Sequence, residues 1–262
     1  MIRANYHTHT SRCNHAAGED REYVEAAVAA GIRVLGFSDH APYVGFDGDY
    51  YSGYRMKPAE LENYVSSVNS LKEEYKDDIE IHLGLETEYY PSLFEGFLEF
   101  IRPYKIEYLI MGQHFDDSDQ YGKYASHITD ARGTEKYVDT CIEGMKTGLF
   151  SYVAHPDMFG LDRNAPEFEA ISEKYCRAAK ELGIPLELNF LGLAQHRIYP
   201  CEEFFKVVSK VGNPVIFGMD AHNPGVFSDA GVRETAENML KKFGLSRTES
   251  IDITRLSNFF NY

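Results

Sequence analysis

The sequence predicts an α/β fold, a distorted seven-stranded (β/α)7 barrel of the TIM type. Short apolar runs with strand character alternate with longer helical patterns along the whole chain, which is typical of a parallel sheet with helical crossovers. Seven such runs are present, one fewer than a complete TIM barrel has strands. The same alternation leaves an open doubly wound sheet as the alternative.

Each predicted element is bounded by residues that favour its ends. Pro58 opens a helix, and glycines such as Gly31 and Gly148 follow the last turns of others, which is the expected asymmetry of helix boundaries. The predicted strands are 2–6, 33–38, 79–85, 107–112, 151–154, 185–190 and 214–219. The predicted helices are 19–30, 58–76, 91–103, 134–147, 166–182, 201–211 and 230–243. Loops 41–57 and 113–133 are long and follow strands, so a functional role is expected of both.

Composition limits the class of protein. A chain of 262 residues, 44% hydrophobic and 26% charged, fits one globular domain over 1–262. The sequence has no apolar run long enough to cross a membrane and no signal peptide pattern, and its four cysteines form no C-x-x-C pair, so a cytoplasmic protein with reduced thiols is expected. A net charge of −15 without a basic cluster disfavours a nucleic-acid partner.

Residues of the types that bind metals follow six of the seven predicted strands. They are His7, His9, His40, Glu86, His114, His155, Asp220 and His222, with His15 in the loop after the first strand. The carboxyl ends of parallel strands converge on one face, where active sites are built. Alternation along an extended chain puts His7 and His9 on one side, and likewise Asp220 and His222. A mixture of imidazoles and carboxylates suits Zn, Mn or Fe, so the sequence predicts a metal centre on this face.

Several neighbouring residues are assigned less specific roles. Asp39 and the adjacent His40 cannot point the same way on an extended strand, so His40 is the predicted ligand and Asp39 a supporting or capping group. Glu88 is a further ligand candidate, although an ordinary structural role is favoured for it and for His196. His82, His127 and the acidic residues Asp116, Asp117 and Asp119 receive no function.

The motifs together resemble a known superfamily. HTHT (7–10), SDH (38–40), Glu86, GQH (112–114), AHPD (154–157) and GMDAH (218–222) resemble the PHP (polymerase and histidinol phosphatase) superfamily over essentially the whole chain. SDHAPY (38–43) and HPDMFG (155–160) look like the monofunctional histidinol-phosphate phosphatases of that superfamily. The resemblance implies a distorted seven-stranded barrel, three divalent ions (Zn, Mn or Fe), and His7, His9, His15, His40, Glu86, His114, His155, Asp220 and His222 as ligands, with Glu86 bridging.

The resemblance also implies a reaction and a substrate. Hydrolysis of a small phosphate monoester, L-histidinol phosphate, is expected, with Arg163 and Arg197 matching the arginines that hold the phosphate. Arginine suits that role because its planar fork meets phosphate bidentately. Asp39 is a candidate general acid. The amine and imidazole of the substrate are expected to meet the acidic and aromatic residues of loop 41–57, namely Tyr43, Phe46, Asp47, Asp49, Tyr50, Tyr51 and Tyr54, unless that loop merely covers the barrel.

Two other functions remain open from sequence. The same superfamily contains phosphodiesterases and nucleases acting on nucleotides, which a basic groove would favour. A noncatalytic module that uses metal for its own stability is the second, although retention of every ligand type weighs against it.

Overall fold

The computed structural model describes residues 2–262, so the first residue of the predicted domain, Met1, lies outside the described part. It contains one sheet of parallel strands in the order β1 to β8, each paired with its neighbours in sequence. This order excludes a doubly wound sheet, in which the strand order reverses. The strands are β1 (Ala4–Asn5), β2 (Val34–His40), β3 (Glu80–Thr87), β4 (Tyr108–Met111), β5 (Phe150–Val153), β6 (Leu186–Asn189), β7 (Pro214–Gly218) and β8 (Ser246–Arg247).

The α/β class is confirmed, but the predicted number of strands is wrong. The sheet has eight strands because Ser246 and Arg247 pair with Pro214 and Val215 at the start of β7. Two residues without an apolar run give no strand signal in the sequence, which is why seven were expected.

Helices connect the strands and cover one face of the sheet. Their bounds are α1 (Asp20–Ala29), α2 (Leu61–Glu74), α3 (Phe94–Ile101), α4 (Ala131–Lys146), α5 (Phe168–Glu181), α6 (Phe190–Ala194), α7 (Glu202–Val211), α8 (Ala230–Phe243) and α9 (Arg255–Phe260). Of these, α6 and α9 were not predicted, because five or six residues are too short for a helical period to be recognised. Within the described residues, the helices lack the combination of length and apolar composition that a bilayer crossing requires.

The chain beyond β1 pairs with the chain beyond β7. The amide of His9 donates to the carbonyl of Ala221 (3.0 Å), and the amide of Ala221 donates to the carbonyl of His7 (3.1 Å). The segment that carries His7 and His9 therefore lies directly beside the segment that carries Asp220 and His222.

Apolar side chains pack on both faces of the sheet. The larger core lies between the sheet and the helices, whereas a smaller cluster on the inner face contains Tyr6, Tyr108, Ile110, Tyr152, Ala154 and Ile216. Ile251 and Ile253 of the C-terminal tail pack against this cluster. Gly84 allows it to form, because a Cβ there would lie 2.3 Å from the Tyr108 ring. Glu86 follows Gly84 by two residues, so its side chain points to the same inner face.

Candidate metal centre

Glu86 is the centre of the predicted ligand cluster. It is the penultimate residue of β3 and has 1% of its surface exposed. Its Oε2 lies 3.4 Å from Nε2 of both His7 and His9 and 3.1 Å from Nδ1 of His40. Its Oε1 lies 2.8 Å from Nε2 of His155 and 3.7 Å from Nε2 of His114. Five imidazoles from four parts of the chain therefore surround one buried carboxylate.

The remaining predicted ligands complete the cluster. Asp220 Oδ1 lies 3.1 Å from His9 Nε2 and 3.2 Å from His222 Nδ1. The ring centre of His15 is 4.7 Å from that of His222 and 5.3 Å from that of His40. The structure thus brings all nine predicted ligand side chains together at the carboxyl ends of the strands.

In three of these imidazoles, the Nδ1 atom, which faces away from the cluster, lies against a carboxylate. Glu187 Oε1 accepts from Nδ1 of His7 (2.7 Å), and Glu88 Oε1 accepts from Nδ1 of His114 (2.8 Å). Asp39 Oδ1 lies 3.4 Å from Nδ1 of His9. A hydrogen bond at Nδ1 fixes the tautomer and leaves the Nε2 lone pair facing the cluster, which is the usual arrangement around a metal-binding histidine.

The inner atoms of the cluster lack the partners that buried polar groups normally have. Nε2 of His7, His9 and His222 and Oε2 of Glu86 are buried and accept or donate no hydrogen bond within residues 2–262. Leaving such atoms unpaired is unfavourable unless a cation binds them. Several sets of three ligand atoms lie within 4.8 Å of one another, among them His7, His9 and Glu86, and His9, His40 and His222. The residues therefore fit divalent metal ions.

The charges in the cluster are strongly coupled. Burial alone would raise the pKa of Glu86, but His7, His40 and His114 hold it well below its ordinary value. Burial would lower the pKa of His7, but Glu187, Asp220 and Glu86 raise it well above its usual range. The carboxylates of Glu86 and Asp220 therefore stay ionised, as cation binding requires.

Two glycines make room for the carboxylates. A Cβ on Gly112 would lie 1.9 Å from Oε1 of Glu86, and a Cβ on Gly218 would lie 1.6 Å from Oε1 of Glu187. Gly112 follows β4, which pairs with the strand of Glu86, and Gly218 lies in β7, which pairs with the strand of Glu187. Because glycine has no Cβ, each glutamate side chain can lie against the backbone of the neighbouring strand.

A cavity of about 620 Å³ opens above the cluster. Its floor contains His15, His40, Glu86, His114, Asp220 and His222. Its walls contain Tyr54, Arg55, Phe115, Tyr124, His127, Gln195, Arg197 and Tyr199. A small organic molecule can therefore reach the predicted ligands from one side.

The two predicted phosphate-binding arginines lie in different surroundings. Arg197 lines the cavity, where its Nη1 donates to the Tyr199 hydroxyl (2.6 Å) and its Nε to Gln195 (3.0 Å). Arg163 does not line it: among the described residues, its guanidinium donates to the carbonyls of Asp157, Phe159, Leu161 and Ile198 at 3.0–3.2 Å. Four of the five N–H groups of Arg163 are engaged in these contacts, so the prediction that it holds phosphate stays a prediction without support from this geometry.

Asp39 supports the cluster from behind. It is fully buried and is absent from the cavity lining that the described residues form. Its Oδ1 also accepts from the His40 amide (2.8 Å), and its Oδ2 accepts from the Thr10 hydroxyl. These contacts favour the supporting role over that of a general acid.

Loop 41–57 contributes less to the cavity than expected. Of the seven residues named from it, Tyr54 lines the cavity. Tyr43 is buried against Phe97, and Asp47 and Tyr50 bind the loop that follows β4. Glu187, Arg55 and His127 were missed as site residues because each stands alone in sequence, without a neighbouring ligand-type residue in a recognisable spacing.

Comparisons with known proteins agree with this geometry. The family model described as "PHP domain" matches residues 5–191. A probable histidinol-phosphatase from Deinococcus radiodurans is 29% identical over 232 residues, covering 84% of this chain and 86% of that protein. A histidinol-phosphatase from Bacillus subtilis is 26% identical over 258 residues, covering 86% of this chain and 95% of that protein.

A solved structure shares the fold. The histidinol phosphate phosphatase of Lactococcus lactis, complexed with zinc, L-histidinol and phosphate, has a TM-score of 0.69 at 20% identity and covers 96% of this chain and 99% of that chain. The family match begins within β1 and extends through β6, and it includes seven of the nine predicted ligands. The chain therefore belongs to the PHP domain family.

Proposed function

We propose that this protein is a metal-dependent phosphate monoesterase that hydrolyses L-histidinol phosphate to L-histidinol and phosphate. The observation that carries the proposal is the gathering of seven imidazoles and two carboxylates at the floor of a cavity whose wall holds Arg197. The names of the relatives from Deinococcus radiodurans and Bacillus subtilis support the substrate. As part of the same proposal, residues 1–262 act as a single domain in the cytoplasm.

The proposed cofactor is a group of three divalent ions of Zn, Mn or Fe. The nine residues that would hold them are His7, His9, His15, His40, Glu86, His114, His155, Asp220 and His222, with Glu86 bridging. Bound divalent ions supply an activated water and neutralise charge on the phosphoryl group. The zinc in the Lactococcus lactis structure supports this choice of cofactor.

The protein's own side chains would orient the substrate. Arg197 would bind nonbridging phosphate oxygens, because it lies in the cavity wall and keeps N–H groups beyond those given to Tyr199 and Gln195. Tyr199 would fix the guanidinium in place. Glu187, Glu88 and Asp39 would hold the imidazoles in their binding orientation, and Arg163 would brace the loop after β5.

The aromatic wall would accept the organic part of the substrate. Tyr54 and Phe115 rings lie 6.5 Å apart, and Phe115 and Tyr124 rings 5.4 Å apart. Flat faces of this kind suit an imidazole, and the electron-rich rings also attract a cation such as the substrate's amine.

Phosphate release from a panel of substrates tests the proposal. The panel contains L-histidinol phosphate, a nucleoside monophosphate, a nitrophenyl monoester and a nitrophenyl diester, each assayed with Mn, Zn and Fe. We expect L-histidinol phosphate to have the highest kcat/KM. Preference for the diester would indicate a phosphodiesterase instead, and inactivity on every compound with metal bound would indicate a noncatalytic module.

A matched pair of arginine variants tests the phosphate contact. Arg197→Met should raise KM for L-histidinol phosphate by roughly tenfold or more, since a charge-assisted contact is lost. Arg177→Met removes an exposed arginine that pairs with Glu173 in α5, and it should leave KM unchanged. Equal KM values for the two variants would exclude Arg197 from phosphate binding.

A further inference from the structure

Arg55 lies in the cavity wall, but its charge and its N–H groups are already engaged. Its side chain is 4% exposed. Nη1 donates to Glu88 Oε2 and to the Ala41 carbonyl (both 3.0 Å), Nη2 donates to Glu88 Oε1 (3.1 Å), and Nε donates to Asp119 Oδ2 (2.9 Å). Two carboxylates therefore balance the guanidinium. A cation held in this way does not serve as a second anion-binding arginine.

These contacts join three separate parts of the site. Arg55 belongs to the loop after β2, Asp119 to the loop after β4, and Glu88 directly follows β3. Glu88 Oε1 also accepts from Nδ1 of His114, one of the proposed ligands (2.8 Å). The side chains of Glu88 and Asp119 are each 1% exposed, so this ion-pair network is screened little by solvent.

Apart from the half-buried hydrogen bond from the Tyr50 hydroxyl to the Asp119 carbonyl (2.9 Å), the other polar contacts between the two loops lie at the molecular surface. The Tyr121 hydroxyl donates to Asp47 Oδ2 (2.9 Å), and the Asp47 amide donates to Gln120 Oε1 (2.9 Å), both in exposed positions. Exposed polar contacts contribute little to stability. The buried network around Arg55 is therefore the main tie that fixes the loops relative to His114.

The same two loops supply the aromatic wall of the cavity. Tyr54 directly precedes Arg55, and Phe115 and Tyr124 stand on either side of Asp119 in the second loop. A shift of Arg55 or Asp119 would change the distance between this wall and the floor on which His114 lies.

We propose that Arg55 is a positioning residue for substrate selection. Through its contacts with Asp119 and Glu88, Arg55 fixes the aromatic wall at the distance from the metal centre that the organic part of the substrate requires. This inference rests on the proposed monoesterase function. Lysine cannot replace Arg55, because one ammonium group cannot make the bidentate contact to Glu88 and the separate contact to Asp119 together.

The variants Asp119→Ala and Arg55→Lys test this role. In both variants, KM for L-histidinol phosphate should rise about tenfold, because ordering the loop side chains would reduce the net free energy of substrate binding. This rise in KM should exceed any fall in kcat. The inhibition constant of inorganic phosphate, which needs no aromatic wall, should stay within about twofold of the parent value. Asp117→Ala, an exposed acidic residue of the same loop, is the matched control and should leave all three parameters unchanged.

The outcomes separate this inference from the proposed function. A parent protein that does not hydrolyse L-histidinol phosphate contradicts the function itself. If the parent is active and KM is unchanged in the Asp119→Ala and Arg55→Lys variants, the positioning role is overturned. It is also overturned if the phosphate inhibition constant rises as much as KM, because the effect would then lie at the metal centre. The double variant should have a KM no higher than about that of the worse single variant, since the two residues act through one contact. Asp119→Asn replaces Asp119→Ala if the latter does not fold.

Discussion

Two glycine residues determine where the carboxylates of Glu86 and Glu187 lie. Gly112 and Gly218 have no Cβ in the space that Glu86 and Glu187 occupy. Any larger residue would force the carboxylate, and with it the surrounding imidazoles, to move. The geometry of the centre therefore depends on two glycines that bind nothing themselves.

Gly112→Ala should lower metal affinity and activity by roughly tenfold or more, because the new methyl group would overlap Glu86 Oε1. Gly96→Ala is the matched control. Gly96 lies in helix α3 with open space around its Cβ position, so alanine there should be neutral or stabilise the protein by about 0.5–1 kcal/mol. For both variants, the metal content after dialysis measures metal binding, and urea unfolding measures stability. A Gly112→Ala protein with full metal content would contradict the argument.

Glu187→Gln should weaken metal binding by roughly 10–100-fold while leaving the fold intact. The carboxylate fixes His7 through Nδ1, and its second oxygen accepts from the His155 amide (2.9 Å) and from Asn189 (2.8 Å). Competition with a coloured chelator measures the affinity. Glu80→Gln, an exposed change on β3, should bind metal like the parent, and equal affinities for the two variants would rule out the role of Glu187.

Residue positions at strand ends could be predicted from sequence, but side-chain contacts could not. His7, His40 and Glu86 were found because ligand types recur at the ends of apolar runs. The contacts of Arg163 could not be predicted, because its position after a strand does not reveal that nearby carbonyls accept hydrogen bonds from its guanidinium. Glu187 lies within β6, a strand that carries no histidine, so no pattern separated it from an ordinary polar residue.

At the level of elements, polar contacts with Glu107 connect helix α2 to strands β3 and β4. Lys72 of α2 and His82 of β3 both bind Glu107, which precedes β4, with His82 Nδ1 2.6 Å from Glu107 Oε2. Burial raises the pKa of Glu107, but the hydrogen bonds from His82 and Lys72 outweigh it and lower the pKa below its ordinary value.

Glu107→Gln should destabilise the protein by about 1 kcal/mol at pH 7. A carboxylate whose folded pKa is depressed contributes stability that is fully present above its unfolded pKa of about 4.3 and is lost as pH falls through the lower folded value. The difference in unfolding free energy between parent and variant should therefore shrink below about pH 4.3. Glu73→Gln, which removes an exposed pair with Lys76, is the control and should show no such pH dependence.

Long elements followed from the sequence more reliably than short ones. Helix α7 was predicted at 201–211 and lies at Glu202–Val211, where apolar residues follow a helical period and Gly212 adopts a positive φ of 79° after the last turn. In contrast, β8 has two residues and is recognised through its pairing with β7, which is a tertiary contact that local sequence does not encode.

For the whole molecule, the metal centre and the fold are expected to depend on each other. The cluster joins residues at or beyond the carboxyl ends of β1, β2, β3, β4, β5 and β7, and without cations some of its buried atoms lack partners. Exhaustive chelation should abolish hydrolysis and lower Tm by several degrees, since ligand at a thousandfold excess over Kd stabilises a fold by about 4 kcal/mol. Calorimetry with and without added Zn or Mn measures the shift. Unchanged Tm in a metal-free protein would contradict this dependence.

The pairing of Thr8 with Ala221 has a consequence for synthesis in the cell. Thr8 is made long before Ala221, and at 5–20 residues per second the 212 residues between them take roughly 10–40 s to synthesise. Throughout that interval His7 and His9 lack the contacts that Asp220 and Ala221 provide. The ligand cluster therefore cannot be completed until the segment that carries Asp220 and His222 has been synthesised.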